Sequence, residues 1–286
     1  MKGILLAGGT GSRLYPMTKA VNKHLLPVYD KPMIYYPLST LMMSGIREIL
    51  IISTDSGVRT FKNLLGAGEE LGLSLEYAVQ PKPQGIAQAF IIAEQFLGNS
   101  SVSLILGDNI IYANDLHDLL LNSTKLEKGA IVFGYPVKDP ERYGVIEFDS
   151  AGNPIGLREK PKVPPSNYAV PGMYFYDNEV VNIAKKIKPS LRGELEITSV
   201  NQVYLEQNNL KVEKLGRGVA WLDAGTPESL LDASQFVATI EERQGLKIAC
   251  VEEIAWRMGF IDSQGLRGLA DKVGSGKFAD YLLNLI

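Results

Sequence analysis

Short apolar runs recur through the first part of the chain, with stretches of helical period between them. Met1 to Leu6, Glu48 to Ser53 and Val102 to Leu106 are nearly continuous in hydrophobicity, which predicts strands buried on both faces. Leu73 to Val79 alternates weakly and reads as a further strand. Between these runs, Tyr36 to Ser44, Val58 to Leu65 and Ile86 to Phe96 read as helices, with Gly45 and Gly66 as stops for the first two. Strand, loop and helix in repetition predict a parallel sheet with helices on both faces.

The texture changes after about residue 128. Ala130 to Val137, Val145 to Phe148, Ile155 to Glu159 and Tyr168 to Tyr176 read as strands, and Ala151-Gly152-Asn153 as a hairpin turn. Helices are predicted over Glu179 to Ile187 and Glu194 to Gln207, and strands over Lys211 to Leu215 and Ala220 to Leu222. Pro227 opens a helix that runs to about Glu242, a position where its missing N–H costs nothing. One more helix is expected from Val251 to Met258. The predicted fold class is α/β: a Rossmann-like mixed, mostly parallel sheet, a β-rich insertion and a small C-terminal helical appendix. The core would span 1–242, divided into parts of about 1–128 and 129–226. Residues 243–286 would be a helical region suited to subunit contact.

Composition narrows the class of protein. The chain has 286 residues, 45% hydrophobic and 21% charged, which is ordinary for a globular enzyme. Net charge is −3, so no basic footprint for nucleic acid exists. Cys250 is the only cysteine, which excludes an internal disulfide and a cysteine metal cluster. No apolar run reaches the ~18 residues of a membrane span. Met1 enters a strand with no leader pattern, so the expected setting is the cytoplasm.

The chemistry concentrates in the loops that follow the strands. Leu6-Ala7-Gly8-Gly9-Thr10-Gly11-Ser12-Arg13 places glycines where backbone N–H groups can converge on an anion. Arg13 adds a planar cationic fork suited to phosphate oxygens. The stretch lacks the Gly-Lys-Ser/Thr of a Walker loop and the third glycine of a dinucleotide fingerprint. A phosphate cradle and a ligand-free βα turn both fit it. Lys23 suits a second cation near the phosphates, or a solvated lysine. Gln80 carries the paired donor and acceptor that reading a nucleobase edge requires. Gly85, at the expected helix start, could offer its N–H to a base carbonyl. Asp108 and Asp223 both follow strands, where ligands of open α/β sheets bind. Two such carboxylates would hold a divalent cation beside a polyphosphate, and a turn or cap would use them equally well. Tyr143, the Gly144 N–H, Glu159 and the backbone of Val170 would face a sugar from the β-rich part.

Several of these residues fall in longer motifs. L-A-G-G-x-G-S-R-L-x-P-x-T, followed by K-x-L-L-P-V-x-x-K-P, resembles the signature of the sugar nucleotidyltransferases. Tyr29 to Ser39, Gln80-Pro81-x-Pro83-x-Gly85, Leu106 to Asn109, Arg142 to Val145 and Trp221-Leu222-Asp223-x-Gly225-Thr226 resemble the branch that moves a thymidylyl group. The resemblance covers nearly the whole chain. It implies dTTP and α-D-glucose 1-phosphate as substrates, Mg²⁺ as cofactor and a homotetramer, at the entry to dTDP-L-rhamnose and related sugars. It implies nucleotide contacts at Leu6, Gly8, Gly9, Thr10, Gly11, Gln80, Gly85 and Asp108. Arg13 would neutralise the leaving diphosphate with Lys23 as its helper, and Lys160 would hold the sugar phosphate. Asn109, Tyr143, Gly144, Glu159 and Val170 would meet the sugar, and Asp108 and Asp223 the metal. The chain departs from the family at His24, Ser199 and Ala224, where Gln, Asp and Thr are usual. It also carries Ala113-Asn114 in a region that serves a regulatory nucleotide site in the family, where Arg217 and Gly218 are retained. A UTP-using relative and a non-catalytic nucleotide-sugar sensor are the competing readings.

Overall fold

A computed structural model describes all residues, Met1 to Ile286. A ten-stranded sheet runs through it. Ser74–Val79, Glu48–Ser53, Lys2–Leu6 and Val102–Leu106 lie side by side and parallel. Met173–Tyr176 then pairs antiparallel with Val102–Leu106 and leads to Ala130–Pro136. Gly144–Phe148, Pro154–Glu159 and Tyr168–Ala169 extend the far edge, while Leu210–Lys214 runs parallel to Ala130–Pro136. The expected α/β architecture, parallel in its first half and β-rich in its second, is the one observed.

Alternation along the parallel strands builds two cores. Leu5, Ile49, Ile51 and Ile105 point to one side, against Leu38, Leu41 and Met42 of the helix Tyr35–Met43 and Phe61 of the helix Asp55–Leu65. Ile4, Leu50, Ile52 and Leu104 point to the other, against Phe90, Val180 and Val200 of the helices Gln88–Ile92, Glu179–Lys186 and Ile197–Glu206. Successive strand residues face opposite sides, so each strand contributes to both cores. A third cluster, including Leu14, Leu26, Val28, Leu230 and Val237, presses the long loop after the first strand onto the helix Pro227–Gln244. The C-terminal helices Val251–Arg257, Ser263–Val273 and Lys277–Leu283 have a small core of their own, yet Val251 and Ala255 belong to the main one. No helix is long and apolar enough to cross a membrane.

Several elements differ from the sequence reading. The helix expected from Val58 starts at Asp55, because the Thr54 hydroxyl accepts the Gly57 N–H and caps it. The single helix expected over Ile86 to Phe96 is two short ones, Gln88–Ile92 and Glu94–Leu97. Its first turn is withheld because Gln84 and Ala87 bond across to Leu195. The same bonds delay the helix expected from Glu194 until Ile197. The strand expected over Tyr168 to Tyr176 splits at Pro171, which has no N–H to give; both halves pair with Ala130–Pro136, but on the other side the first meets Gly144–Phe148 and the second Val102–Leu106. Asn109–Tyr112 is a strand that the sequence reading missed; it pairs antiparallel with Ala220–Asp223.

The helix after Asp223 is anchored by a reciprocal cap. Thr226 Oγ1 accepts the Ser229 N–H at 3.2 Å, and the Ser229 hydroxyl accepts the Thr226 N–H at 3.0 Å. Thr226→Ala should cost about 1 kcal/mol of stability, read as a lower urea midpoint with unchanged slope. An unchanged midpoint would show that the cap contributes nothing.

Candidate active site

The loops after Leu6, Ser53, Val79 and Leu106 gather at the C-terminal end of the parallel strands, where open α/β sheets bind ligands. Two adjoining cavities open there. The first, of about 210 Å³, is walled by Leu6, Gly8 and Gly9 on one side and Gln80, Pro83 and Gly85 on the other, with Lys23, His24 and Asp108 at its base. The second, of about 240 Å³, reaches from Arg13 and Asp223 to Tyr143, Gly144, Glu159, Lys160 and Val170, with Asn109 and Asp108 between. Asp108, Ile86, Leu106 and Glu194 line both. All but two of the expected site residues are thus brought together. The exceptions are Thr10, which is exposed, and Gly11, which turns the chain at φ 62° under Thr18 and Lys23.

The glycine loop is shaped by close approach. A Cβ on Gly8 would stand 2.5 Å from Gln80 Oε1, so glycine leaves the room that the Gln80 amide takes up here. Gly85 has φ 104° and lies against the Leu195 backbone. Its sequence assignment to a helix start is therefore corrected: it sits in a loop, three residues before the helix at Gln88.

The two aspartates are joined by strand pairing. In the ladder between Asn109–Tyr112 and Ala220–Asp223, Asp223 stands opposite Asn109, and the Ala224 N–H donates to the Asp108 carbonyl at 3.1 Å. Asp108 is held by Lys23 Nζ on one oxygen and by Asn109 Nδ2 at 3.0 Å on the other. Burial pushes the Asp108 carboxyl up, but Lys23 and the hydrogen bonds outweigh it and hold the group at about 2. Asp223 moves the other way. Burial and the Asp108 charge raise it, despite Arg13, Lys23 and Arg142 nearby. A pair of partly buried carboxylates whose repulsion is incompletely cancelled is a hard-oxygen site that fits a divalent cation. No group of three or more His, Cys, Asp or Glu gathers anywhere, so a cation here would complete its shell from phosphates or water.

The cations divide into spent and unspent. Lys23, expected as a free helper, is ion-paired to Asp108. Arg142 is shared between Asp139 and Asp223, and Arg192 between Glu159, Glu194 and Glu196. Arg13 and Lys160 face the second cavity with no carboxylate in salt-bridge range. Lys160 follows the strand Pro154–Glu159 at φ 42°, a left-handed conformation that costs a side-chain-bearing residue about 1–2 kcal/mol. Its N–H is tied to the Tyr143 carbonyl at 2.9 Å.

Asn109 is occupied by the scaffold. Its Oδ1 accepts the Gly172 N–H at 2.9 Å and the Trp221 indole N–H at 2.6 Å. Trp221 in turn packs on Tyr143, ring centroids 5.0 Å apart. Burial and Asp223 push the Tyr143 phenol up to about 12, so it stays a neutral donor at neutral pH. Glu159 accepts from the Thr198 hydroxyl and stands 3.4 Å from Arg192.

This arrangement has counterparts. A family model described as nucleotidyl transferase matches residues 2–240. The chain belongs to the nucleotidyl transferase family. It is 54% identical to a glucose-1-phosphate thymidylyltransferase of Neisseria gonorrhoeae and 55% to one of Mycolicibacterium smegmatis. Each alignment covers 100% of this chain and 99% of the relative. A Bacillus anthracis crystal structure assigned to the same activity superposes with a TM-score of 0.76 at 46% identity, covering 82% of this chain and 94% of that one. A UDP-glucose pyrophosphorylase bound to UDP-glucose shares the fold, with a TM-score of 0.73 at 24% identity over 85% of this chain and 99% of that one.

The sequence reading of this nucleotidyltransferase missed Arg142, Arg192, Glu194, Thr198 and Trp221 as lining residues. Arg142 and Trp221 stand in the motifs Arg142 to Val145 and Trp221 to Thr226 but carried no site role, and nothing in the spacing of Arg192, Glu194 and Thr198 marks them. Arg192 lies in a turn-like stretch beside Pro189 and Gly193, which signals a loop but not its destination.

His24 fills the base of the first cavity. It is 1% exposed, and its Nδ1 lies 2.9 Å from Asn22 Oδ1. Burial, with help from Lys23, lowers its pKa from 6.5 to about 3. Below pH 6.5 the unfolded chain therefore binds a proton that the folded chain refuses. Stability should fall as pH drops from 6.5 toward 3, by up to about 1 kcal/mol per pH unit from this group. Urea unfolding between pH 7 and 4 checks this. His24→Gln should have the shallower loss; parallel curves would rule out a buried neutral His24.

Proposed function

We propose that the enzyme transfers the thymidylyl group of dTTP to α-D-glucose 1-phosphate and releases diphosphate. One observation carries the reading: two cavities share Asp108, and two unpaired cations, Arg13 and Lys160, face the space where phosphates would meet. The first cavity takes the nucleotide, with Gln80 and Gly85 at the nucleobase and Leu6, Gly8 and Gly9 along the phosphates. The second takes the sugar phosphate, with Asn109, Tyr143, Gly144, Glu159 and Val170 around the sugar.

The reaction is an in-line substitution. An oxygen of the sugar phosphate attacks the α-phosphorus, and the bond to the β-phosphate oxygen breaks as diphosphate leaves. The nucleophile is already anionic, so no base is needed, and positioning with charge neutralisation supplies the catalysis. Arg13 faces the leaving diphosphate and Lys160 the sugar phosphate. Lys23 keeps Asp108 ionised and oriented. A divalent cation, which we assign as Mg²⁺, would be held by Asp108 and Asp223 and would add positive charge beside the phosphates. The single buried cysteine fits a reducing cytoplasm. The exposed apolar Leu246, Val273 and Leu283 of the C-terminal region 243–286 fit the subunit contact of a homotetramer.

The test is diphosphate release from four nucleoside triphosphates against several sugar 1-phosphates. dTTP with glucose 1-phosphate should be the best pair. UTP should follow, since one methyl group is worth only about 1–3 kcal/mol. ATP turnover equal to that of dTTP would overturn the assignment, and no turnover at all would favour a sensor.

The two cations have separable signatures. Arg13→Ala should lower kcat and kcat/KM together by about 10²–10³, the mark of a contact made in the transition state. Arg13→Lys should restore only part, because a point charge does not reproduce the fork. Lys160→Ala should also raise KM for glucose 1-phosphate and leave that for dTTP nearly unchanged. A rise in KM for dTTP alone would exchange the two roles.

A further inference from the structure

We infer that Gln88 is a positioning residue that fixes which atom of the Gln80 amide meets the nucleobase, and so selects thymine and uracil over cytosine. The inference rests on the assignment of the first cavity to the nucleotide. Gln80 is buried at 6% exposure, and its Nε2 donates to Gln88 Oε1 at 2.8 Å. The same Gln88 oxygen accepts the backbone N–H of Gln84 at 3.2 Å. An amide side chain can turn over and exchange donor for acceptor, but a backbone N–H cannot. The Gln84 N–H therefore forces Gln88 to turn its oxygen inward, and Gln88 Nε2 then donates to Gln84 Oε1 at 2.9 Å. The polarity passes on to Gln80, which must give Nε2 to Gln88 and keep Oε1 for the other side.

That other side is the nucleotide cavity. Gln80 Oε1 lies against Gly8, where an added Cβ would stand 2.5 Å away, and both residues line the cavity. An acceptor held there pairs with the N3–H of thymine or uracil. It faces the lone pair of cytosine N3 unfavourably. The source of the polarity is itself held in place. The Leu195 N–H donates to the Gln84 carbonyl at 2.7 Å, and Gly85 packs on the Leu195 backbone. A base-reading amide is thus set by a backbone group that acts on it through one intervening side chain.

The experiment measures kcat/KM for dTTP and dCTP, with glucose 1-phosphate and Mg²⁺, in the wild type and in Gln88→Met, Gln88→Glu and Gln88→Lys. Methionine keeps the length and removes the hydrogen bonds, so the dTTP-to-dCTP ratio should fall at least about tenfold as Gln80 becomes free to turn. The loss should sit in KM for dTTP, with KM for glucose 1-phosphate unmoved, which a general structural defect would not produce. Glutamate keeps acceptors for Gln80 and the Gln84 N–H, so its ratio should stay within about threefold of the wild type. Lysine offers only donors and should lower the ratio further. If Gln88→Met does not fold, the Glu and Lys variants carry the test: a ratio kept by Glu and lost by Lys supports the inference, and equal ratios overturn it. A wild-type preference untouched by Gln88→Met overturns this inference alone. A wild type without preference for dTTP overturns the functional reading, and this inference with it.

Discussion

The site depends on one short ladder, in which Asn109–Tyr112 runs antiparallel to Ala220–Asp223. It brings two carboxylates from distant parts of the chain to one point. Without it Asp108 would end a strand of the first half, and Asp223 would precede a helix of the second, with no reason to meet. Bringing like charges together in a buried place is costly, and the cost appears as the raised Asp223 carboxyl. The fold tolerates it because Lys23, Arg13 and Arg142 surround the pair, and because the ladder and the Ala224 N–H hold the backbone in place. Asn109 adds a bracket, joining Asp108, Gly172 and Trp221 through one amide.

Charge is then distributed by use. Most cations of the site are paired: Lys23 with Asp108, Arg142 with two aspartates, Arg192 with three glutamates. Arg13 and Lys160 have no carboxylate partner, and they enter the lining of the second cavity from different parts of the chain, one from the glycine loop and one from the β-rich part. A chain with net charge −3 has no global field to draw phosphates, so local placement must do so.

The two cavities are also joined mechanically. Leu195 bonds to Gln84 and Ala87, tying the loop beside the first cavity to the stretch that carries Arg192, Glu194 and Glu196 into the second. These bonds replace the first turns of two helices. Backbone groups spent between loops are unavailable for helical bonds, which is why both helices start later than their periodicity suggests.

How much was legible follows from the range of each interaction. Local pattern determined the strands Lys2–Leu6, Glu48–Ser53 and Val102–Leu106, the parallel half of the sheet and the stops at Gly45 and Gly66, because burial and backbone freedom act within a few residues. The glycine loop, Arg13, Gln80 and the two aspartates were legible because they follow strands whose ends define the crevice. The cap at Thr54 and the break at Pro171 were local signals that periodicity alone did not weigh, whereas the missed strand Asn109–Tyr112 was decided by a partner far along the chain. So were the pairing of Lys23 with Asp108, the isolation of Arg13 and Lys160, and the entry of Arg192 and Trp221. A sequence states which charges and amides are present. Which are neutralised, and which way an amide faces, depends on distances between segments that only the folded chain sets.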